Sequence, residues 1–375
     1  MANMRILIFT RHYPPLLSGG ARRPFLLAQG LRAAGADVRI VAPALPEGEP
    51  GLALGHPVLK PTAASETGHA APSLRARMRL ALLVPDPELP WVVRNARRIK
   101  EHARSYRPDV VLTTSPPESI HLGGAWLAGA LDVPWVADVR DHWLLAPLME
   151  ERTFSLRRHV EGFLARRLLQ RASLITAAER SMQREMRVYA PTVPTLHLPQ
   201  PGPALLKATP VPSGRVFRVL HTGGFTTSHA ERDIGPALDL VAEVRASAPH
   251  VHFLFQGALT SEERERASRV EGLTIKPPVS LVESWAEQQQ ASALLLVAAD
   301  GAIMPPGKLS EYRAAGRPIA TLGGSGWTAR EGLDADPAQA LIGWANGTRE
   351  FPEGLAPPPS GADVAKTLLE AVGRL

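Results

Sequence analysis

Runs of four to six apolar residues, rich in Val, Ile and Leu, alternate along the chain with stretches whose apolar positions recur at helical spacing. The pattern predicts strands at 5–10, 37–42, 110–113, 135–138 and 174–176, with helices at 22–34, 119–131, 156–170 and 180–189. This is the βαβ alternation of a parallel sheet. The alternation stops at 197–214, where five prolines and two glycines fall in a segment without periodicity. It then restarts, with strands expected at 216–221, 251–256, 273–276, 293–298 and 318–322. The division that follows is a Rossmann-like domain at 1–196, a linker at 197–214, a second Rossmann-like domain at 215–355, and a C-terminal segment at 356–375 whose helix, 362–375, can pack back on the first domain. The expected fold class is α/β: two doubly wound domains facing each other across a cleft, with ligands at the carboxyl ends of the strands.

Residues 43–73 are rich in Ala, Gly, Pro and Ser and read as a mobile loop. A basic block follows at 75–107, with nine Lys and Arg against Asp86, Glu88 and Glu101. Within it, Arg94, Arg97, Arg98, Lys100 and Arg104 share a helical pattern with Trp91, Val92, Val93 and Ile99, which fits either a membrane-surface helix or a solvated helix face.

Charge sharpens this contrast. Residues 1–200 hold 26 Lys and Arg against 17 Asp and Glu, and the remaining residues hold 16 against 19. A basic first half suits an anionic partner such as a lipid surface, but no aromatic and basic interleaving suggests nucleic acid. The 375 residues contain no cysteine, which excludes disulfides, thiolate metal sites and a cysteine nucleophile. The apolar run at 6–9 is too short for a signal peptide, and the one at 291–299 falls well below the ~20 residues of a spanning helix. A cytoplasmic protein, peripheral at most to the inner face of the membrane, is expected.

Candidate chemistry gathers at predicted strand ends. After the first strand come His12, Tyr13-Pro14-Pro15, Gly19, Gly20, Arg22 and Arg23, a turn whose glycines let backbone N–H groups approach a phosphate or sugar. Gly223, Gly224, Thr226, Thr227 and Arg232 repeat the arrangement in the second half. Neither segment has the G-x-G-x-x-G spacing of a dinucleotide site.

Residues 301–319 predict a helix beginning near Pro306-Gly307, with Lys308 in its first turn beside a diphosphate and Glu311 on the same face, suited to a ribose diol; a plain surface ion pair is the alternative. Leu309 stands where a P-loop has its Ser or Thr. Asp138, Arg140, Asp141 and His142 cluster after another strand and suit base or hydroxyl-binding roles, or a salt-bridged loop. Ser115, at the end of the preceding strand, suits sugar contact, and His121 reads as a core histidine. Asp334 and Asp336 match a metal signature in letters only and read as a helix-capping turn. The sequon at Asn346-Gly347-Thr348 lacks a secretory context.

Together these segments resemble GT-B fold glycosyltransferases of the family 4 type: the YPP and GG start, Pro108-Asp109-Val110-Val111 with Thr114-Ser115-Pro116-Pro117, Asp138 to Trp143, and Pro306-Gly307-Lys308-Leu309-x-Glu311-Tyr312 through Gly316-Arg317-Pro318-Ile319. The resemblance implies a bacterial enzyme of polysaccharide, glycolipid or natural-product biosynthesis that transfers a hexosyl group, with retention and without metal or cofactor. Its donor would be a UDP-, dTDP- or GDP-linked sugar, and its acceptor a glycan, a lipid-linked precursor or a small molecule. It implies catalytic roles for Lys308 and Arg232, which neutralise the diphosphate, with Asp138 or Asp141 as fallback base. Donor contacts would come from Gly19, Gly20, Gly223, Gly224, Lys308, Leu309 and Glu311, and acceptor or sugar contacts from His12, Ser115, Arg140 and His142. Two positions depart from the family: Ile303 replaces a second glutamate, and Thr114 or Ser115 a strand-end histidine. A nucleotide-sugar 2-epimerase and a catalytically silent nucleotide-sugar-binding protein are the alternatives.

Overall fold

The computed structural model describes residues 4–56, 83–143, 155–204, 216–227, 232–299, 305–324, 326–334, 336–352 and 355–375. These form two compact units, one built from the described residues of 4–201 and 359–375, the other from those of 202–358.

The first unit is a parallel sheet of β1 (Arg5–Thr10), β2 (Asp37–Ala42), β3 (Gly51–Ala53), β4 (Val110–Ser115), β5 (Trp135–Val139), β6 (Leu174–Ala177) and β7 (Thr195–His197), in the order β3-β2-β1-β4-β5-β6-β7. Alternate side chains serve opposite faces: Leu7 and Phe9 join one core, Ile6 and Ile8 the other. Both faces of the central strands are therefore apolar, as helices on each side require. The first face is covered by α2 (Leu89–Tyr106), α3 (Ser119–Leu131), α4 (Ser155–Leu169) and α5 (Arg180–Tyr189), through Trp91, Ile99, Leu127, Leu168 and Met186. The second is covered by α1 (Arg22–Ala33) and the C-terminal α12 (Gly361–Val372). Here α1 and α12 meet backbone to backbone, since a β-carbon on Gly30 would lie 2.0 Å from the Gly361 carbonyl oxygen.

Two edge strands differ from expectation. β3 lies inside the segment read as a mobile loop and pairs with β2, Ile40 opposite Gly51; residues 57–73 of that segment lie outside the described residues. β7 takes in His197, the first residue of the expected linker, and residues 205–214 lie outside the described residues.

The second unit repeats the plan with β8 (Phe217–Thr222), β9 (Val251–Gln256), β10 (Leu273–Lys276), β11 (Ala293–Val297) and β12 (Ile319–Leu322), all parallel, in the order β10-β9-β8-β11-β12. Helices α6 (Gly235–Ser247) and α11 (Pro337–Asn346) pack on one face, α9 (Lys308–Ala315) and the short α10 (Trp327–Arg330) on the other. α7 (Ser261–Ser268) and α8 (Leu281–Gln290) each begin with a capping box, Thr260 with Glu263 and Ser280 with Glu283. Asp336 caps α11 by accepting from the Gln339 backbone N–H, the capping role expected of that turn.

Candidate functional site

In the second unit the carboxyl ends of the strands gather a cation, a carboxylate and a glycine turn. Lys308 opens α9, and its Nζ donates to the Thr222 carbonyl and lies 3.3 Å from Thr222 Oγ1. Gly223 has φ +119°, where side chains are strained, and a β-carbon there would sit 2.5 Å from Lys308 Nζ. The positive φ thus favours glycine here, and a side chain in its place would push the Lys308 amine aside. Glu311, one turn along α9, is buried and accepts from Gln288 Nε2 at 3.3 Å. Gln288 also reaches Thr222 Oγ1, while Tyr312 Oη accepts from the Thr222 N–H at 2.9 Å. Gly224 is buried just behind this turn.

His221, on β8 immediately before the turn, was not among the residues expected from the sequence. Its Nδ1 donates to the Leu295 carbonyl at 3.0 Å, its ring stacks 4.8 Å from Phe225, and Nε2 finds no partner among the described residues. Burial, with the positive charges of Lys308 and Arg232, pushes it down to about 3, so the imidazole is neutral. Arg232 precedes α6, and burial lowers its pKa; its Nε is buried with no partner among the described residues. An anion would satisfy the Arg232 Nε–H. Leu309 departs from its expected role: its side chain lies in the core with Tyr312 and Ala315, and its N–H is taken by the Pro306 carbonyl. Ile303 lies outside the described residues.

In the first unit the GG turn forms as Gly19–Ala21, a single 3-10 turn leading into α1. A β-carbon on Gly20 would meet His12 Cγ at 3.0 Å, so this glycine lets the turn close over the imidazole, whose Nδ1 is 3.1 Å from Ser18 Oγ. Burial, then Arg140 and Arg11, press His12 down to about 3.

Two of the expected site residues, Arg140 and Asp138, are held by the scaffold. Arg140 donates to the carbonyls of Ser115 (2.6 Å), Pro116 (3.0 Å) and Gly20, tying the end of β4 to the GG turn, so its guanidinium is occupied by backbone. Asp138 is fully buried and receives Arg23 at both oxygens, with Thr176 Oγ1 at 2.6 Å; the ion pair and these hydrogen bonds hold it below the usual carboxylate range despite burial. A base needs an open lone pair, and Asp138 has none facing solvent. His142 is paired with Glu185 of α5.

Ser115 is buried at the strand end, and Asp141 is exposed just beyond β5. His121 is a core residue as expected, with Nδ1 2.7 Å from Thr113 Oγ1, and burial lowers it to about 4. Near Asp141 stands Glu118, just before α3, which sequence reasoning missed. Burial, then the carboxylates of Asp86, Asp141 and Glu161, push Glu118 up to about 8. Its position directly after Ser115-Pro116-Pro117, at the start of a helix that follows a strand end, was the available signal. Among the described residues no three His, Asp or Glu side chains are placed to hold a metal ion, and no helix is long and apolar enough to cross a membrane.

Residues 18–192 match the model of a glycosyl transferase 4-like domain. The fold is GT-B, and the family match lies within its first half. The same fold is seen in Anabaena HepE, solved with UDP and glucose, at 14% identity over 100% of both chains and a TM-score of 0.60. Sucrose-phosphate synthase of Thermosynechococcus elongatus shares it at 15% identity over 100% of this chain and 95% of that one, with a TM-score of 0.54. So does the UDP-GlcNAc 2-epimerase of Neisseria meningitidis, solved with UDP-GlcNAc, at 12% identity over 99% and 100% and a TM-score of 0.55. Among curated proteins no sequence matches.

Proposed function

We propose that the protein transfers a sugar from a nucleotide diphosphate sugar to an acceptor hydroxyl, with the donor held by the second unit. The observation that carries this reading is the joint placement of Lys308 Nζ, the Gly223 turn and buried Glu311 at one strand edge. The UDP and UDP-sugar ligands of structural neighbours support it.

Diphosphate oxygens replace the Thr222 carbonyl as the acceptor of the Lys308 hydrogen bond. The N-terminus of α9 and the partly buried Arg232 add to the positive field. Glu311 accepts from the ribose hydroxyls. On transfer, the bond from the anomeric carbon to the diphosphate oxygen breaks and a bond to the acceptor oxygen forms. Charge develops on the leaving diphosphate where these fixed cations already stand. In the retaining, front-side pathway the acceptor proton passes to that departing oxygen, so the chain supplies no base and no metal. The acceptor is assigned to the strand-end loops of the first unit, where Ser115 and Asp141 lie.

One observation favours a second reading. The chain shares its fold with a UDP-GlcNAc 2-epimerase solved with UDP-GlcNAc, and a nucleotide-sugar 2-epimerase would use the same donor site.

Thermal stabilisation by UDP, dTDP, GDP and ADP tests the donor site, since a ligand at 100 times its dissociation constant adds about 2.7 kcal/mol. One nucleotide raising Tm by several degrees is expected, and no response to any of the four would remove the donor site. Product analysis without acceptor separates the two enzymes, because an epimerase alters the donor sugar and a transferase at most hydrolyses it.

A further inference from the structure

Among the described residues, the helical layer of α2, α3, α4 and α5 shows solvent predominantly positive charge. α2 exposes Arg94, Arg97 and Arg104, α4 exposes Arg166 and Arg167, and α5 exposes Arg184 and Arg187. Among the described residues of these four helices the only exposed acid is Glu101, already paired with Arg97. The opposite face of the same sheet is different: α12 shows Asp363, Lys366 and Glu370.

Large apolar side chains stand among these cations. Phe163 is 62% exposed, Val188 66%, Val93 65% and Trp126 41%. Two of them lie under the charges, with the Arg167 guanidinium 5.3 Å from the Phe163 ring centre and Lys100 Nζ 5.6 Å from that of Trp126.

We infer that this four-helix face docks on the surface of an anionic lipid bilayer. Guanidinium groups bind lipid phosphates, and the summed attraction of many of them is what holds a protein at an anionic surface. Exposed indole and phenyl rings sit at the boundary between headgroups and acyl chains. A nucleic acid would satisfy the arginines but would gain nothing from Val93, Val188 and Phe163, which is why a lipid surface fits the whole face better. The contact is not that of an embedded amphipathic helix: Trp91, Val92 and Ile99 of α2 are committed to the core, so only the outward side chains meet lipid.

Flotation of the full chain with phosphatidylcholine vesicles, with and without phosphatidylglycerol, tests the inference. Binding to the phosphatidylglycerol vesicles, lost in high salt, is expected. Arg166→Glu with Arg167→Glu should weaken it about tenfold or more. Phe163→Ala with Trp126→Ala should weaken it also, and Lys366→Glu on the opposite face should leave it unchanged. Melting curves confirm that the variants remain folded. Equal binding to both vesicle types, no binding to the anionic ones at low salt, or indifference to all the substitutions would each overturn the inference. So would binding to a DNA duplex, insensitive to Phe163→Ala and Trp126→Ala, in the absence of vesicle binding.

Discussion

Arg23 and Asp138 form a two-pronged ion pair, 2.8 and 2.7 Å, sealed from solvent between α1 and β5. Arg23 also donates to the carbonyls of Pro199 and Leu198 just after β7, so one guanidinium binds the first helix, the centre of the sheet and its far edge. Breaking such a buried pair leaves an uncompensated charge and costs about 3 to 5 kcal/mol. Asp138→Asn should therefore lower Tm sharply. Transferase activity per folded molecule should survive, and its loss with Tm unchanged would instead restore Asp138 as a base.

Gly223→Ala places a methyl group against Lys308 Nζ and forces a left-handed backbone on alanine. The strain alone amounts to about 1 to 2 kcal/mol. Donor binding should fall further, because the lysine is displaced from where phosphate must sit. Calorimetry with the nucleotide selected by thermal shift measures this, and unaltered affinity would detach Gly223 from the site.

Glu311→Ala should weaken nucleotide binding by about tenfold or more, through loss of charge-assisted hydrogen bonds to the ribose worth about 1.5 to 3 kcal/mol. The deoxyribose form of the same nucleotide should be discriminated by the native protein and not by the variant. If both proteins bind the two forms with the same ratio, the ribose assignment fails.

Stability should respond to pH in two opposite ways. His12, His121 and His221 are held neutral at about 3, 4 and 3, below their ordinary 6.5. The unfolded chain takes up protons the folded chain refuses, so stability is retained above pH 6.5 and falls as pH drops toward 3. Glu118, raised to about 8, keeps its proton in the folded chain, so its contribution is present below about pH 4.5 and is lost as pH rises through 8. Glu118→Gln should flatten the alkaline decline and leave the acid side unchanged, as read by Tm against pH.

The inner strands were legible because their apolar runs need both faces covered: β1, β2 and β9 have the ends the pattern predicts, and so does the four-residue edge strand β10. β3 and β7 were not, since three-residue edge strands carry too little pattern to stand out from loop. The residue types of the site were legible too, but the roles of Asp138 and Arg140 were not. Asp138 shares the side of β5 that Val136 gives to the α1 core, and that parity, visible only once the sheet's faces are assigned, directs it to Arg23 rather than to a ligand. Arg140 looks like a ligand contact in any linear reading, because backbone carbonyls leave no mark in a sequence. His221 and Glu118 owe their perturbed states first to burial and then to neighbours distant in the chain, such as Lys308 and Asp86, none of which pattern reading brings together.

The contact of Gly30 with Gly361 also sets an order of events in the making of the protein. The first unit cannot bury Leu27, Leu31 and Val38 fully until Val364, Leu368 and Leu369 arrive from the far end of the chain. At ribosomal rates of about 5 to 20 residues per second, the whole second unit emerges while that surface waits, a delay on the order of 10 to 30 s. Of the two units, the one that leaves the ribosome earlier is thus completed later, and a chain truncated before Pro359 never completes it.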